Sequence, residues 1–322
     1  MSSFRLTVPG NLLLAGEYAV LEEGGLGAAV AVEPRLIVTV FPSDHWEIVG
    51  RWVGGEEVWN PESALPPTFA GAVFLRALEL LESRGGERER RWPRRIPAAR
   101  IELDSSRFFD AQGRKRGFGS SAALAAGLTA ALAGLGEREL SPVLYQTAVA
   151  AHRHAQGGAG SGYDVTASWF GGFGLFVGGE APRWEPVDPI FPPLAVFSGP
   201  ETVRTVGSIA RYRQWKLDAP REVRDFLDAS NAAVNGLVRS RTLVSLLDAW
   251  AQTREFGLQV GRRIGSDASL EVPEGLPPDT FIKALGAGNE TGLAVLPNAG
   301  EVGTLPKAVV ALEMAKEGVR WE

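Results

Sequence analysis

The stretch RGFGSSAALAAG, residues 116–127, contains three glycines, two serines and four alanines. A helix N-terminus carries unpaired backbone N–H groups and a partial positive charge, and it therefore binds phosphate readily. Glycines ahead of such a helix let the backbone approach an anion, while serines add hydroxyl donors or a magnesium ligand. A second interpretation stays open, because small residues at a helix start also allow close packing against neighbouring elements.

Of two known nucleotide-binding patterns, the chain contains one. The pattern G-x-x-x-x-G-K-[ST] occurs nowhere in the chain, whereas Gly117, Gly119 and Ala122 fit G-x-G-x-x-A. The latter pattern is typical of dinucleotide-binding proteins only where it follows a strand directly. The long polar loop DSSRFFDAQGRKR precedes it here, which disfavours a dehydrogenase.

Composition narrows the function classes. A net charge of −5 over 322 residues gives no general attraction to nucleic acid or to an anionic membrane, so an anionic small substrate requires a local basic pocket. The chain has no cysteine, which excludes disulfides, thiolate nucleophiles and cysteine-ligated metals. Its three histidines, His45, His152 and His154, are too few and too poorly spaced to favour a histidine-ligated metal.

The first ten residues, MSSFRLTVPG, lack a basic segment followed by an apolar run, as a secretory signal would have. No stretch approaches the roughly 18 apolar residues of a membrane span. We therefore expect a cytoplasmic protein without membrane or nucleic-acid partners.

The order of elements predicts two α+β domains. Strands are expected at FRLTV, GAAVAVEPRLIVTVFP, WEIVGRWV, ARIEL, GFGLFVGG, PLAVFSGP, GLAVLP and GVRW, and helices over 68–82, from Ser120, from Pro142, over 219–237 and 240–264, and near 304–317. The arginine-rich segment GGERERRWPRRIPAAR is interpreted as a solvated loop rather than a nucleic-acid patch. The proline-rich segment EAPRWEPVDPIFPP predicts a boundary that separates residues 1–185 from 186–322.

Three further glycine-rich stretches occur, at residues 9–32, 155–172 and 283–296. Each alone is typical of a tight turn. With GFGSSAA, however, they resemble in order and spacing the motifs of the GHMP superfamily of small-molecule kinases. PGNLLLAGEY resembles its first motif, GFGSSAA its phosphate-binding motif and KALGAGNETG its third. The resemblance implies a fold with an N-terminal domain like ribosomal protein S5 domain 2 and a ferredoxin-like C-terminal domain.

Within the superfamily, Gly160–Val165 is similar to the phosphomevalonate kinases, as are DAQGRKRGFGSSAAL and FSGPETVRTVG. The resemblance implies ATP-dependent phosphoryl transfer to phosphomevalonate in isoprenoid precursor synthesis. ATP phosphates would lie across Gly117, Phe118, Gly119, Ser120, Ser121 and Ala122, with Ser120 or Ser121 helping to hold Mg²⁺. Asp164 would lie near the acceptor. It would accept a proton from an alcohol, or orient a lysine or bind magnesium if the acceptor is a phosphate ester that is already nucleophilic.

Two phosphate groups brought together repel each other, so the reaction calls for cations. We expect these from Lys115, Lys283 and Arg204, the two lysines and Asp164 being the candidate catalytic residues. The remaining candidates would line the acceptor pocket: Asn11, Glu17, Tyr18, Ser161, Gly162, Gly286, Ala287 and Gly288.

The match has two departures. Asn11 stands where mevalonate and phosphomevalonate kinases carry lysine, and Glu290 and Thr291 replace a more usual Asp-Cys pair. Asparagine donates hydrogen bonds but brings no charge to a transferred phosphoryl group. Mevalonate kinase, another sugar or alcohol kinase, and a non-catalytic nucleotide- or metabolite-binding relative therefore stay open as alternatives. Either a monomer or a homodimer fits the superfamily.

Overall fold

The computed structural model describes residues 2–63, 66–83, 96–136, 141–158, 160–199, 205–286, 288 and 290–322. Most of the arginine-rich segment interpreted as a solvated loop lies outside these ranges. The described strands are β1 Phe4–Ala15, β2 Leu26–Pro42, β3 Glu47–Trp52, β4 Gly55–Trp59, β5 Ala99–Asp104, β6 Phe173–Val177, β7 Arg183–Val187, β8 Leu194–Ser198, β9 Phe281–Leu285, β10 Thr291–Val295, β11 Val309–Ala311 and β12 Arg320–Trp321. The described helices are α1 Phe69–Ser83, α2 Ser120–Leu135, α3 Pro142–Ala155, α4 Tyr163–Phe170, α5 Thr205–Asp218, α6 Pro220–Arg239 and α7 Leu243–Ile264.

Contacts between residues divide the chain into two compact units, neither of which is continuous in sequence. The first comprises Met1–Asn11, Ala31–Gly171 and Ala315–Glu322, and the second comprises Leu12–Val30 and Gly172–Met314. Both units thus draw residues from each side of the domain boundary predicted after residue 185, which itself lies in β7. These units and the predicted sequence domains are different divisions of the chain, and the boundary stays a prediction.

In the first unit the strands lie in the order β12-β1-β2-β5-β3-β4. Alternate residues of β5 are buried, as expected of a strand with one face against a core. Helix α2 packs against α1, α3 and α4 and contacts β5. Twelve of its sixteen residues are buried, so the helix is enclosed on most sides.

Gly127 explains why α2 is rich in small residues. A Cβ atom at Gly127 would lie 2.8 Å from Val38 and 3.0 Å from Leu36, both on β2. The helix therefore approaches the sheet at a distance that only glycine permits. Close packing thus accounts for the interior of α2, while the start of the helix remains to be explained by the site.

In the second unit β11-β8-β10-β9 form an antiparallel sheet, and the first residues of β2 pair with β6, which pairs with β7. The predicted pair of long amphipathic helices is confirmed as α6 and α7, which pack on each other. On α6 the buried apolar residues repeat with the helical period and lie on one face of the helix: Val223, Phe226, Ala233, Val234, Leu237 and Val238.

One sequence prediction of local structure was wrong. The helix expected near 304–317 is absent from that described segment, where a 3₁₀ turn ends at Thr304 and β11 follows, because Val309–Ala311 pairs with β8. Pairing with a distant strand there overrides the local pattern. Within the segment that predicts the domain boundary, β7 pairs with the preceding strand β6 and lays Trp184 over Gly174.

Candidate functional site

The loop before α2 places backbone amides at the start of a buried helix. Gly119 is the N-cap in a left-handed conformation with φ 67°, and its carbonyl accepts bonds from the amides of Ala122 and Ala123 at 3.1 Å each. The amides of Ser120 and Ser121 precede these first intrahelical bonds and point out of the helix end. Both serine side chains are half-buried. This end of α2 has the geometry that favours a bound anion.

Asn11 anchors this loop rather than facing outward. Its side chain is 2% exposed, its Nδ2 donates to Ser168 Oγ at 3.0 Å and to the Gly119 carbonyl at 3.4 Å, and its backbone N–H donates to the Phe118 carbonyl at 3.0 Å. The predicted contact between Asn11 and a substrate stays a prediction. In the structure, Asn11 lies behind the loop that precedes α2 and holds Gly119 in place by a hydrogen bond.

Asp164 lies in the first turn of α4, after the left-handed N-cap Gly162. Its Oδ1 accepts a bond from the Val165 amide at 2.9 Å, and its Oδ2 lies 3.8 Å from Nδ1 of His152. The carboxylate is 22% exposed, so it can meet a ligand. Ser161, also predicted, is buried two residues before Tyr163, whose amide donates to Ser161 Oγ at 3.4 Å.

The side chain of His152 lies between the start of α2 and the start of α4. It lies on α3 with its side chain 2% exposed, and its Nε2 is 3.5 Å from Ser121 Oγ. The first unit therefore brings together Ser121, His152 and Asp164 in one series of polar contacts. Sequence reasoning considered His152 only as a metal ligand. Its position among alanines and valines in the predicted helix is the signal that could have indicated a buried histidine.

Lys115 is exposed two residues before Gly117, where its backbone bridges to Phe109. No ion pair occupies its side chain among the described residues. Its neighbour Arg114, in contrast, pairs with Asp110. Lys115 thus remains a candidate cation beside the phosphate loop, and its role stays a prediction.

In the second unit, Lys283 and Glu17 form a buried ion pair. Lys283 on β9 donates to the Glu17 carboxylate and, at 2.9 Å, to the Ala284 carbonyl, and the side chains of the pair are only 2% and 7% exposed. Lys283 is one of the predicted catalytic cations; the structure pairs it with Glu17, and its part in the reaction stays a prediction. Both side chains line a small cavity with Tyr18, Gly286 and Gly288, so these candidates do lie together.

Tyr18 has a strained backbone at this cavity. Its φ of 62° is unusual for a residue with a side chain, and such strain is retained where the surroundings impose it. The ring stacks on Tyr212 with 5.4 Å between centroids. Burial raises the pKa of the Tyr18 phenol, so at neutral pH it is a neutral donor.

Two predicted residues, Arg204 and Ala287, lie outside the described residues. Within the described ranges, no helix is long and apolar enough to cross a membrane, and no three His, Asp or Glu side chains cluster as a metal site. Mg²⁺ in kinases is commonly held by one or two carboxylates together with phosphates and waters. The hydroxyls of Ser120 and Ser121 and the carboxylate of Asp164 are oxygen donors suited to such a site.

Comparisons with known proteins agree with this picture. Residues 73–172 match the family model for the GHMP kinases N terminal domain. The phosphomevalonate kinase of Streptomyces sp. strain CL190 is 32% identical over 182 residues, which are 51% of this chain and 47% of that protein. The matched region thus spans about half the length of this curated relative.

Two solved structures share the fold over nearly the whole chain. A Lin0012 protein from Listeria innocua has a TM-score of 0.84 at 19% identity and covers 100% of this chain and 99% of its own. The phosphomevalonate kinase of Streptococcus pneumoniae in complex with phosphomevalonate and AMPPNP has a TM-score of 0.72 at 16% identity. The match covers 93% of this chain and 94% of that one. These likenesses confirm the predicted two-domain α+β fold.

Proposed function

The chain carries a GHMP kinase N-terminal domain and has the GHMP kinase fold, and on this premise we propose that it transfers a phosphoryl group from ATP to phosphomevalonate. One observation carries the proposal: the glycine-bounded start of α2, with two serines, lies in the same unit as a partly exposed aspartate. Phosphoryl transfer depends mainly on positioning and on neutralising charge, which is what these groups supply.

ATP would place its phosphates over the amides of Ser120 and Ser121. The helix start favours negative charge there, and the hydroxyls add hydrogen bonds. Mg²⁺ bound with ATP would neutralise the crowded phosphate oxygens, with Ser120 or Ser121 among its ligands. Support for a nucleotide comes also from the AMPPNP complex of the pneumococcal phosphomevalonate kinase.

If the acceptor is a phosphate ester, the transfer needs no strong base. Its second pKa is about 6, so at neutral pH it is mostly dianionic and nucleophilic. Asp164 then orients a cation or binds magnesium rather than accepting a proton. Lys115 and Arg204 would offset repulsion between acceptor and ATP, while Glu17 holds Lys283 in position at the cavity lined by Tyr18.

One observation favours a second acceptor class, a neutral alcohol such as mevalonate or a sugar. Asp164 has His152 at 3.8 Å, and a carboxylate with a neighbouring imidazole can accept the proton of a hydroxyl group.

A substrate panel tests the proposal. Purified protein with ATP and Mg²⁺ is incubated with phosphomevalonate, mevalonate, galactose or homoserine, and ADP release is measured. We expect the highest kcat/KM with phosphomevalonate. Turnover with mevalonate or galactose alone would reassign the acceptor, and nucleotide binding without turnover of any acceptor would indicate a non-catalytic relative.

Gly119→Ala is expected to weaken ATP binding by about tenfold or more, which corresponds to about 1.4 kcal/mol of binding free energy. A Cβ atom there would lie 2.2 Å from Asn11 Nδ2, and the left-handed backbone adds about 1–2 kcal/mol of strain. The Kd for AMPPNP is measured by calorimetry. Gly113→Ala is the control, because Gly113 has φ 75° but meets only the Val53 carbonyl at 3.6 Å. Equal effects of the two substitutions would contradict the prediction.

A further inference from the structure

His152 is a buried titratable group that the proposed reaction leaves without a role. His152 is 1% exposed, and its ring packs against Phe69 in a T-shaped arrangement, with 5.9 Å between ring centroids. Both of its nitrogens nevertheless face polar groups. A buried polar ring without a partner would cost free energy, so these contacts determine how His152 is held.

The surroundings of His152 define its tautomer. Nε2 lies 3.5 Å from Ser121 Oγ and 3.3 Å from the amide nitrogen of Gln156, and both of these groups can donate. A neutral imidazole has one accepting and one donating nitrogen. Nε2 is therefore the acceptor, and the proton on Nδ1 points toward Asp164 Oδ2, 3.8 Å away.

Each contact has a consequence for the group beyond it. A serine hydroxyl that donates to Nε2 keeps its oxygen lone pairs free for a cation or for water at the phosphate loop. A carboxylate that faces an N–H group is favoured in one orientation. At 3.8 Å this second contact is electrostatic rather than a direct hydrogen bond.

We propose that His152 is a positioning residue that fixes the Ser121 hydroxyl with Nε2 and the Asp164 carboxylate with Nδ1. It thereby couples the nucleotide end of the site to the acceptor end within one unit. The inference rests on the proposed kinase function but not on the identity of the acceptor. Neither contact requires His152 itself to touch a substrate.

Two substitutions separate the two contacts. The side-chain amide of asparagine reaches about as far as Nδ1 of histidine, and that of glutamine reaches about as far as Nε2. We expect His152→Gln to keep the AMPPNP Kd near the wild-type value while kcat falls by about tenfold, a typical loss for an orienting partner. His152→Asn should do the opposite, with a Kd weakened by about tenfold and a smaller change in kcat.

His152→Leu removes both contacts while filling the space of the ring with an apolar side chain, and the variant should lose both nucleotide affinity and kcat. His154→Gln is the matched control, because His154 is exposed two residues later on the same helix. Thermal unfolding of every variant is recorded in parallel. If the leucine variant does not fold, the contrast between asparagine and glutamine decides.

Three outcomes with the variants would overturn the inference. The first is a folded leucine variant with unchanged Kd and kcat, and the second is losses in all variants that follow only their melting temperatures. The third is identical effects of the glutamine and asparagine variants on both constants. If the wild type binds AMPPNP but phosphorylates no acceptor in the panel, the proposed function fails while the Kd comparison still judges His152. If the wild type does not bind AMPPNP, both proposals fail.

Discussion

Lys283→Met is expected to lower the free energy of unfolding by about 3–5 kcal/mol, since it leaves the buried carboxylate of Glu17 without its counter-charge. The pair is 2% and 7% exposed, so water cannot replace the missing ammonium group. Methionine retains most of the length of lysine, which limits any contribution from lost packing. Urea denaturation followed by circular dichroism measures the effect.

Two further variants identify the cause of this loss. Glu17→Leu combined with Lys283→Met should regain much of the stability, because an apolar pair leaves no buried charge. Lys216→Met removes a half-exposed lysine from its ion pair with Glu22 and should cost less than about 1 kcal/mol. If Lys283→Met costs no more than Lys216→Met, the buried pair does not stabilise the second unit as described.

Asp164→Asn is expected to reduce kcat by more than about 100-fold, equivalent to about 2.7 kcal/mol of transition-state free energy. Asparagine keeps an oxygen that can accept the Val165 amide, so the start of α4 should persist. It loses the negative charge that the proposed mechanism uses to orient a cation or to bind magnesium. Steady-state ADP release with the best acceptor of the panel measures the change.

Glu79→Gln is the control for removing a carboxylate elsewhere in the same unit. Glu79 is exposed on α1, where it pairs with Arg76. Its substitution should leave kcat within about twofold of wild type, as surface changes remote from a site usually have small effects. An Asp164→Asn enzyme as active as this control would remove Asp164 from the reaction.

Elements with a strong local signal were predicted well. The start of α2 followed from glycines and serines before an alanine-rich run, and α3 begins at Pro142 as expected, with proline in its first turn. Helices α6 and α7 have an apolar face that recurs with the helical period. In these segments, residues close in sequence hold the information that determines the element.

Elements without such a signal were missed or misassigned. Helix α5 has charged residues on most sides and buries few apolar side chains, among them Ile209 and Tyr212. Strand β9 carries Lys283 at a buried position, where an apolar residue would mark a strand more clearly. Strand β11 is only three residues long. Their formation depends on partners elsewhere in the chain, which no local pattern contains.

Local patterns along the chain were enough to predict the fold class, the glycine-bounded helix start and the positions of most candidate site residues, because backbone conformation follows from local steric and capping preferences. The folded chain sets which of these side chains meet. It joins Glu17 to Lys283 across 266 residues of chain and sets His152 between Ser121 and Asp164. Such pairings arise from burial, since charged and polar groups removed from water must find one another.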